Sequence, residues 1–218
     1  MKVTIIEHTQ NARELLIFSK KTRLKMSPNG FSDIMSMSEE EKQKELNYVF
    51  GTISGPLEFV DYIIMIEDVT RAFTHQLVRH RVGTSFAQQS MRAVNMQDFE
   101  CLATGLCIDN DIFNKAVDGI KETYSELISS GVKEEDARGI LPTNVLTNIL
   151  MKVNLRSLVT MMEQRLCNRA QKEFRDVMIE IKNQVQTLHP WAEPLLQCYC
   201  DKNKKCFFKN GKGCGKNE

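Results

Sequence analysis

The chain has 218 residues, enough for one domain or a compact body with a small appendage, and long enough to bury most of its apolar surface. Its 29 Lys and Arg stand against 28 Asp and Glu, so no global field draws it to nucleic acid or to a membrane surface, and any anion site has to be local. The opening Met1-Lys2-Val3-Thr4-Ile5-Ile6-Glu7 lacks a signal-peptide hydrophobic stretch, and no apolar run approaches the roughly 20 residues of a membrane span, which points to a cytoplasmic protein.

Residues 2–7 alternate as a strand does, and Leu15, Leu16 and Phe18 give helical spacing over residues 11–25. Ser27-Pro28-Asn29-Gly30 marks a turn, Ser38-Glu39-Glu40-Glu41 a helix start with acids at its positive end, and residues 51–56 a loop. The β-branched and aromatic run over residues 59–66 predicts a strand, and its near-continuous apolarity suits a sheet covered on both faces. Phe73 and Leu77 predict a helix over residues 70–82, with Gln76, Arg79 and His80 on another side. An amphipathic helix is expected over 111–130, ended by Ser129-Ser130-Gly131, then one short turn before Leu141-Pro142. The offsets of Leu146, Ile149, Leu150, Val153, Leu158, Met161 and Met162 predict one long helix over residues 144–168, and residues 169–188 continue helically to His189-Pro190.

Two stretches carry chemistry. Residues 74–92 gather Arg79, His80, Arg81 and Arg92 with Gln76, Gln88, Gln89 and Ser90 around Gly83-Thr84. Guanidinium forks bind phosphate through paired charge-assisted hydrogen bonds, and amides and hydroxyls satisfy the edges of a flat heterocycle, so the set describes a nucleotide pocket. A solvated basic helix face is the competing reading of the same residues. Further on, Arg138, Arg156 and Arg165 recur, with Arg156 and Thr160 one helical turn apart; alone they read equally as surface ion pairs.

Their order resolves the ambiguity. Arg79-His80-Arg81 is followed by Ser90 and Arg92, then Ala137-Arg138-Gly139-Ile140-Leu141-Pro142, Asn154-Leu155-Arg156-Ser157-Leu158, and Arg165 with Ala170-Gln171 five residues on. Four such motifs in register resemble the flavin-dependent thymidylate synthase family, over roughly residues 51–191. The resemblance implies an α+β fold of the thymidylate synthase-complementing-protein type, a mixed β-sheet with long flanking helices, forming a catalytic domain over residues 1–195 before a Cys- and Lys-rich tail over 196–218. It implies a methyltransferase that moves a one-carbon unit from methylenetetrahydrofolate to C5 of dUMP, giving dTMP, while NADPH reduces an FAD cofactor. By this similarity Ser54, Arg79, His80, Arg81, Gln88, Asn154, Arg156 and Thr160 would contact FAD. Gln76, Arg79, Gln88, Gln89, Ser90, Met91, Arg92, Arg138 and Arg165 would hold the nucleotide. Arg165 would be the catalytic residue, a guanidinium stabilising the enolate-like charge as C5 becomes nucleophilic. A homotetramer with shared active sites is implied, with no nucleic-acid or membrane partner and no metal.

The chain departs from the family pattern at several points. Eight residues rather than seven separate Arg81 from Ser90, an excess that Gly83 can absorb as a bulge. Thr52 and Phe59 stand where histidines are usual, and Thr160 where Asn is common. C5 hydroxymethylation, or another pyrimidine nucleotide, therefore stays open beside dUMP methylation, and a basic nucleic-acid-binding module is the rival from another class. Of the seven cysteines, Cys101, Cys107 and Cys167 read as ordinary thiols. Cys198, Cys200, Cys206 and Cys214 crowd the basic tail, where four thiolates for a structural zinc compete with reduced thiols on a solvated end.

Overall fold

The chain opens with strand β1 (Lys2–His8) and helix α1 (Ala12–Leu24), as the alternation and spacing predict. In this computed structural model residues 1–26, 28–206 and 214 are described, so Ser27 and most of the far tail lie outside the described residues. A short helix α2 (Phe31–Met35) precedes α3 (Glu39–Phe50), whose start is fixed by a capping box: Ser38 accepts from the Glu41 backbone N–H while the Glu41 carboxylate accepts from that of Ser38. Strand β2 (Asp61–Thr70) leads directly into α4 (Arg71–Leu77), and Thr70 serves both, ending the strand and capping the helix by accepting from Phe73 N–H at 3.0 Å. Strand β3 (Thr84–Gln88), helix α5 (Asp111–Ser129) and the single turn α6 (Glu134–Ala137) follow.

Strand β4 (Leu146–Asn154) and helix α7 (Leu155–Arg165) replace the one long helix expected over residues 144–168. Thr147, Ile149, Met151 and Val153 are all buried, a period of two that the helical offsets of Leu146, Leu150 and Leu158 conceal. Here too one residue ends the strand and caps the helix, since the Asn154 Oδ1 accepts from Ser157 N–H at 2.9 Å. Helix α8 (Lys172–Leu188) and the short α9 (Tyr199–Asn203) complete the elements.

The four strands form one sheet in the order β1-β2-β4-β3. Pairings such as Thr9 N–H to Asp61 O, Leu155 N–H to Val60 O and Asn154 N–H to Gly83 O join strand ends to strand starts, so the sheet is antiparallel and the expectation of a mixed sheet is corrected. The cause lies in β2, whose residues alternate between fully and partly buried: Tyr62, Ile64 and Ile66 are sealed while Ile63 and Met65 are not. That is the half-covered face typical of antiparallel sheets, despite the apolar run.

The backbone divides into two compact units. The first comprises Met1–Lys2, Ile66–Arg79 and Phe86–Leu150, and the second Val3–Met65, His80–Ser85 and Met151–Glu218. The first has its own core of Met96, Phe99, Tyr124, Ala137 and Val145, against which Met91 packs. The second buries Leu16, Ile17, Leu46, Leu158, Phe174 and Ile181 completely, each worth about 1.5–3 kcal/mol of transfer free energy. It also buries His189, whose Nδ1 lies 2.8 Å from the Tyr62 hydroxyl, with its ring stacked on Trp191 and edge-on to His8. Burial, reinforced by His8, pushes the His189 imidazole down to about 4, so it meets the phenol as a neutral ring. Cys198 and Cys200 are buried as well, contrary to a wholly solvated tail. Burial and the neighbouring thiols Cys200 and Cys167 push the Cys198 thiol up to about 12.

Candidate active site

The first unit holds most of the residues expected to meet the nucleotide. Arg71, the first residue of α4, is half-buried and donates from its guanidinium to Gln89 O at 3.3 Å. Burial lowers its pKa and so does the charge of Arg138, which brings two cations into one neighbourhood. Arg138 spends its Nε on Glu135 O at 3.0 Å, and Arg92 pairs through its Nε with the Glu135 carboxylate at 2.8 Å. Of these three guanidiniums Arg92 meets the Glu135 carboxylate while Arg71 and Arg138 bond backbone carbonyls, an excess of positive charge that a phosphate dianion would neutralise. The Ser90 hydroxyl accepts from Arg92 N–H at 3.2 Å, turning the 90–92 segment at this spot. Arg71 was not among the residues expected from the sequence; its signal was its place at the head of the 71–92 stretch, five residues before Gln76 on the same short helix.

Other predicted residues of this unit sit differently. Gln88 points inward: its amide donates to the Thr74 hydroxyl at 2.8 Å and lies 3.5 Å from that of Thr147, while Thr74 donates onward to Arg71 O. Met91 belongs to the core cluster and Gln76 is half-buried on α4. Arg79 is exposed just beyond α4, and among the described residues its guanidinium meets no carboxylate within ion-pair distance.

The second unit holds His80, Arg81, Ser54, Asn154, Arg156, Thr160 and Arg165. Arg165, at the end of α7, donates from Nε to His80 Nε2 at 3.3 Å and lies 4.6 Å over the Phe174 ring, whose edge-to-face contact with His80 closes a three-residue cluster. Burial and the Arg165 charge both hold the His80 pKa below its ordinary value, which keeps the imidazole neutral and able to accept. The guanidinium is therefore oriented by an aromatic face and a ring nitrogen.

Gly83, where the sequence suggested a bulge, lies in a tight turn just before β3. Its φ is +64°, and a Cβ there would collide with the Asn154 amide and approach the Ser157 hydroxyl to 2.6 Å. Only a bare backbone fits, and the Ser157 hydroxyl fastens the bulge by donating to Val82 O at 2.6 Å. Thr84 pins it from the other side through His80 O. Asn154 is buried in this contact and in its cap, so its amide is structural as well as a predicted ligand. Arg156 is exposed and paired with Glu58 at 2.5 Å, and Thr160 bonds back to Arg156 O at 3.2 Å.

As a donor set the second unit fits a flavin nucleotide. Arg81 has no carboxylate within ion-pair distance among the described residues and suits a phosphate, while Ile53 and Phe59, beside the exposed Ser54, present large apolar surface suited to a flat ring. Phe59, in place of an expected histidine, lines an apolar hollow with Leu15, Phe18, Ile53 and Pro56.

Known proteins match most of the chain. The family model described as thymidylate synthase complementing protein matches residues 4–191. A flavin-dependent thymidylate synthase of Clostridium tetani is 33% identical over 213 residues, covering 87% of this chain and 84% of that protein. The protein of the same name from Pyrococcus furiosus is 32% identical, covering 92% and 89%, and that from Sulfurisphaera tokodaii is 34% identical, covering 87% and 75%.

Proposed function

Because the chain belongs to the flavin-dependent thymidylate synthase family, and is an enzyme of that family, we propose that it methylates dUMP at C5 to give dTMP, with methylenetetrahydrofolate as carbon donor and NADPH as reductant. The observation that carries the reading is the Arg165 guanidinium, held at 3.3 Å from a neutral His80 nitrogen and laid over Phe174. A cation so held needs no reorganisation to meet the negative charge that develops on the uracil ring as C5 becomes nucleophilic. Arg71, Arg92 and Arg138 would take the 5′-phosphate, with Ser90 and Gln89 beside it, and Gln76 and Arg79 at the base and ribose. His80, Arg81, Ser54 and Arg156 would orient FAD, with Gln88, Asn154 and Thr160 supporting them; FAD, when bound, supplies the reducing equivalents. Glu58 would have to release Arg156 for that contact.

The same reading takes residues 1–195 as the catalytic region in a thymidylate synthase-complementing-protein fold, and a cytoplasmic homotetramer whose neighbouring subunits complete each site. No helix among the described residues is long and apolar enough to cross a membrane.

The test is anaerobic product analysis by mass spectrometry with purified protein, FAD, NADPH, methylenetetrahydrofolate and dUMP. dTMP is expected. A hydroxymethylated product would place the departure in the final reduction, in keeping with Thr52 and Phe59 replacing histidines, and a flavin-loaded protein yielding no product would overturn dUMP as substrate. A colourless protein that binds nucleic acid with steep salt dependence would support the rival reading instead.

A further inference from the structure

Five of the seven cysteines converge on one place in the second unit, a place the proposed chemistry does not use. Cys167, Cys198, Cys200, Cys206 and Cys214 all line one cavity of about 470 Å³. They come from separate parts of the chain, the turn after α7 and the segment running through and past α9, and none of them is in a disulfide. The Cys198 and Cys200 sulfurs are 3.5 Å apart, and an Asp201 carboxylate oxygen lies within 4.8 Å of both. A tetrahedral zinc with Zn–S bonds of about 2.3 Å separates its sulfurs by roughly 3.8 Å, so this pair already spans close to one edge of such a site.

We propose that this cavity is a structural zinc site, with Cys198 and Cys200 as two thiolate ligands and two of Cys167, Cys206 and Cys214 completing the tetrahedron. A Cys-x-Cys pair is closer than the two-residue spacing of common zinc knuckles. Cys198 caps α9 while Cys200 sits in its first turn, so the helix start brings both sulfurs to one side. Four thiolates around Zn²⁺ leave a net charge of −2, and the neighbouring Lys202, Lys204 and Lys205 supply the compensating cations. A redox pair would employ two thiols, whereas five on one cavity match a closed ligand shell. The site would tie the tail to the end of α7, where Lys202 already pairs with Glu163 at 2.7 Å and the Cys198 thiol lies 3.7 Å from Glu163 O. Arg165 borders the same cavity, so the zinc would brace the helix end that presents it.

Elemental analysis of the full-length protein, purified without chelator, tests this independently of any product formed. One zinc per chain is expected, released by titration with an organomercurial. Cys198→Ser and Cys200→Ser should each lower the content at least tenfold, and Cys101→Ser, in the first unit, should leave it unchanged. X-ray absorption at the zinc edge of the unmutated protein covers variants that fail to fold, and a shell of four sulfurs is expected. Protein that holds no zinc, and takes up none after reduction and incubation with Zn²⁺, overturns the proposal. So does a shell dominated by nitrogen and oxygen, or a zinc content indifferent to Cys198 and Cys200.

Discussion

The two units handle positive charge in opposite ways. In the first, Arg71 and Arg138 share a neighbourhood, Arg92 pairs with the Glu135 carboxylate whose backbone carbonyl Arg138 holds, and most of this machinery is exposed. In the second, Arg165 is half-buried, fixed by an aromatic face and a neutral ring nitrogen, within a few residues of a bulge too tight for a methyl group. A crowd of cations selects an anion by charge and tolerates loose geometry; a single oriented cation acts on a transition state and tolerates none. Substitutions in the first unit should therefore appear as lost nucleotide affinity, and those in the second as lost turnover or lost stability.

The sharpest break is at Arg165. Arg165→Ala should lower kcat by about a hundred- to a thousandfold while circular dichroism and flavin content stay normal. Normal dTMP formation by that variant would remove the residue from the mechanism. Next comes Gly83→Ala, which places a Cβ against Asn154 and Ser157 in a left-handed backbone conformation; a loss of about 2–3 kcal/mol, read as a lowered Tm, is expected. An unchanged Tm would show that the bulge can open. In the first unit, Arg92→Ala or Arg71→Ala should raise the dUMP Kd about tenfold or more with flavin retained, because each deletes one charged partner of the phosphate. Flavin loss at constant Kd would reverse the assignment of the two units.

The second unit should also be acid-sensitive through His189. Its folded pKa lies below the ordinary value, so the unfolded chain binds the proton more readily. Its contribution is complete above about pH 6.5 and is lost as pH falls toward 4. Allowing for partial solvent screening, this amounts to on the order of 1–2 kcal/mol, measurable as the pH dependence of denaturant unfolding, and His189→Gln should flatten that limb. The smallest effect concerns Glu135, which occupies Arg92 in the free protein: Glu135→Gln should tighten dUMP binding by about two- to threefold, and isothermal titration would detect weaker binding if Glu135 instead positions Arg92.

Much of this was legible in the sequence, for reasons that differ by residue type. The strand β1 and helices α1, α3, α5 and α8 follow from periodicity and caps, Ser38 among them. The β4–α7 junction was not legible, because leucines at 146, 150 and 158 fit a helix while the decisive inward residues included Thr147 and Met151. Strand β3 is short and built from Thr, Ser, Ala and Gln around one Phe, so no apolar alternation announces it. The motif arginines could be named in advance, but their partners could not: the pairing of Arg92 with Glu135 spans 43 positions and that of Arg165 with His80 spans 85. The inward turn of Gln88 onto Thr74 likewise depends on β3, which the sequence did not reveal.

Thr70 and Asn154 each finish a strand and begin a helix with no residue between, one junction in each unit. Such a joint has no slack in chain length. One residue inserted after Asn154 would advance α7 by about 100° and 1.5 Å, swinging its last turn off the His80 ring, although every side chain involved would still be present. Length changes can therefore accumulate in connections such as the turn over residues 130–133 but not at these two joints, where counting residues matters more than choosing them.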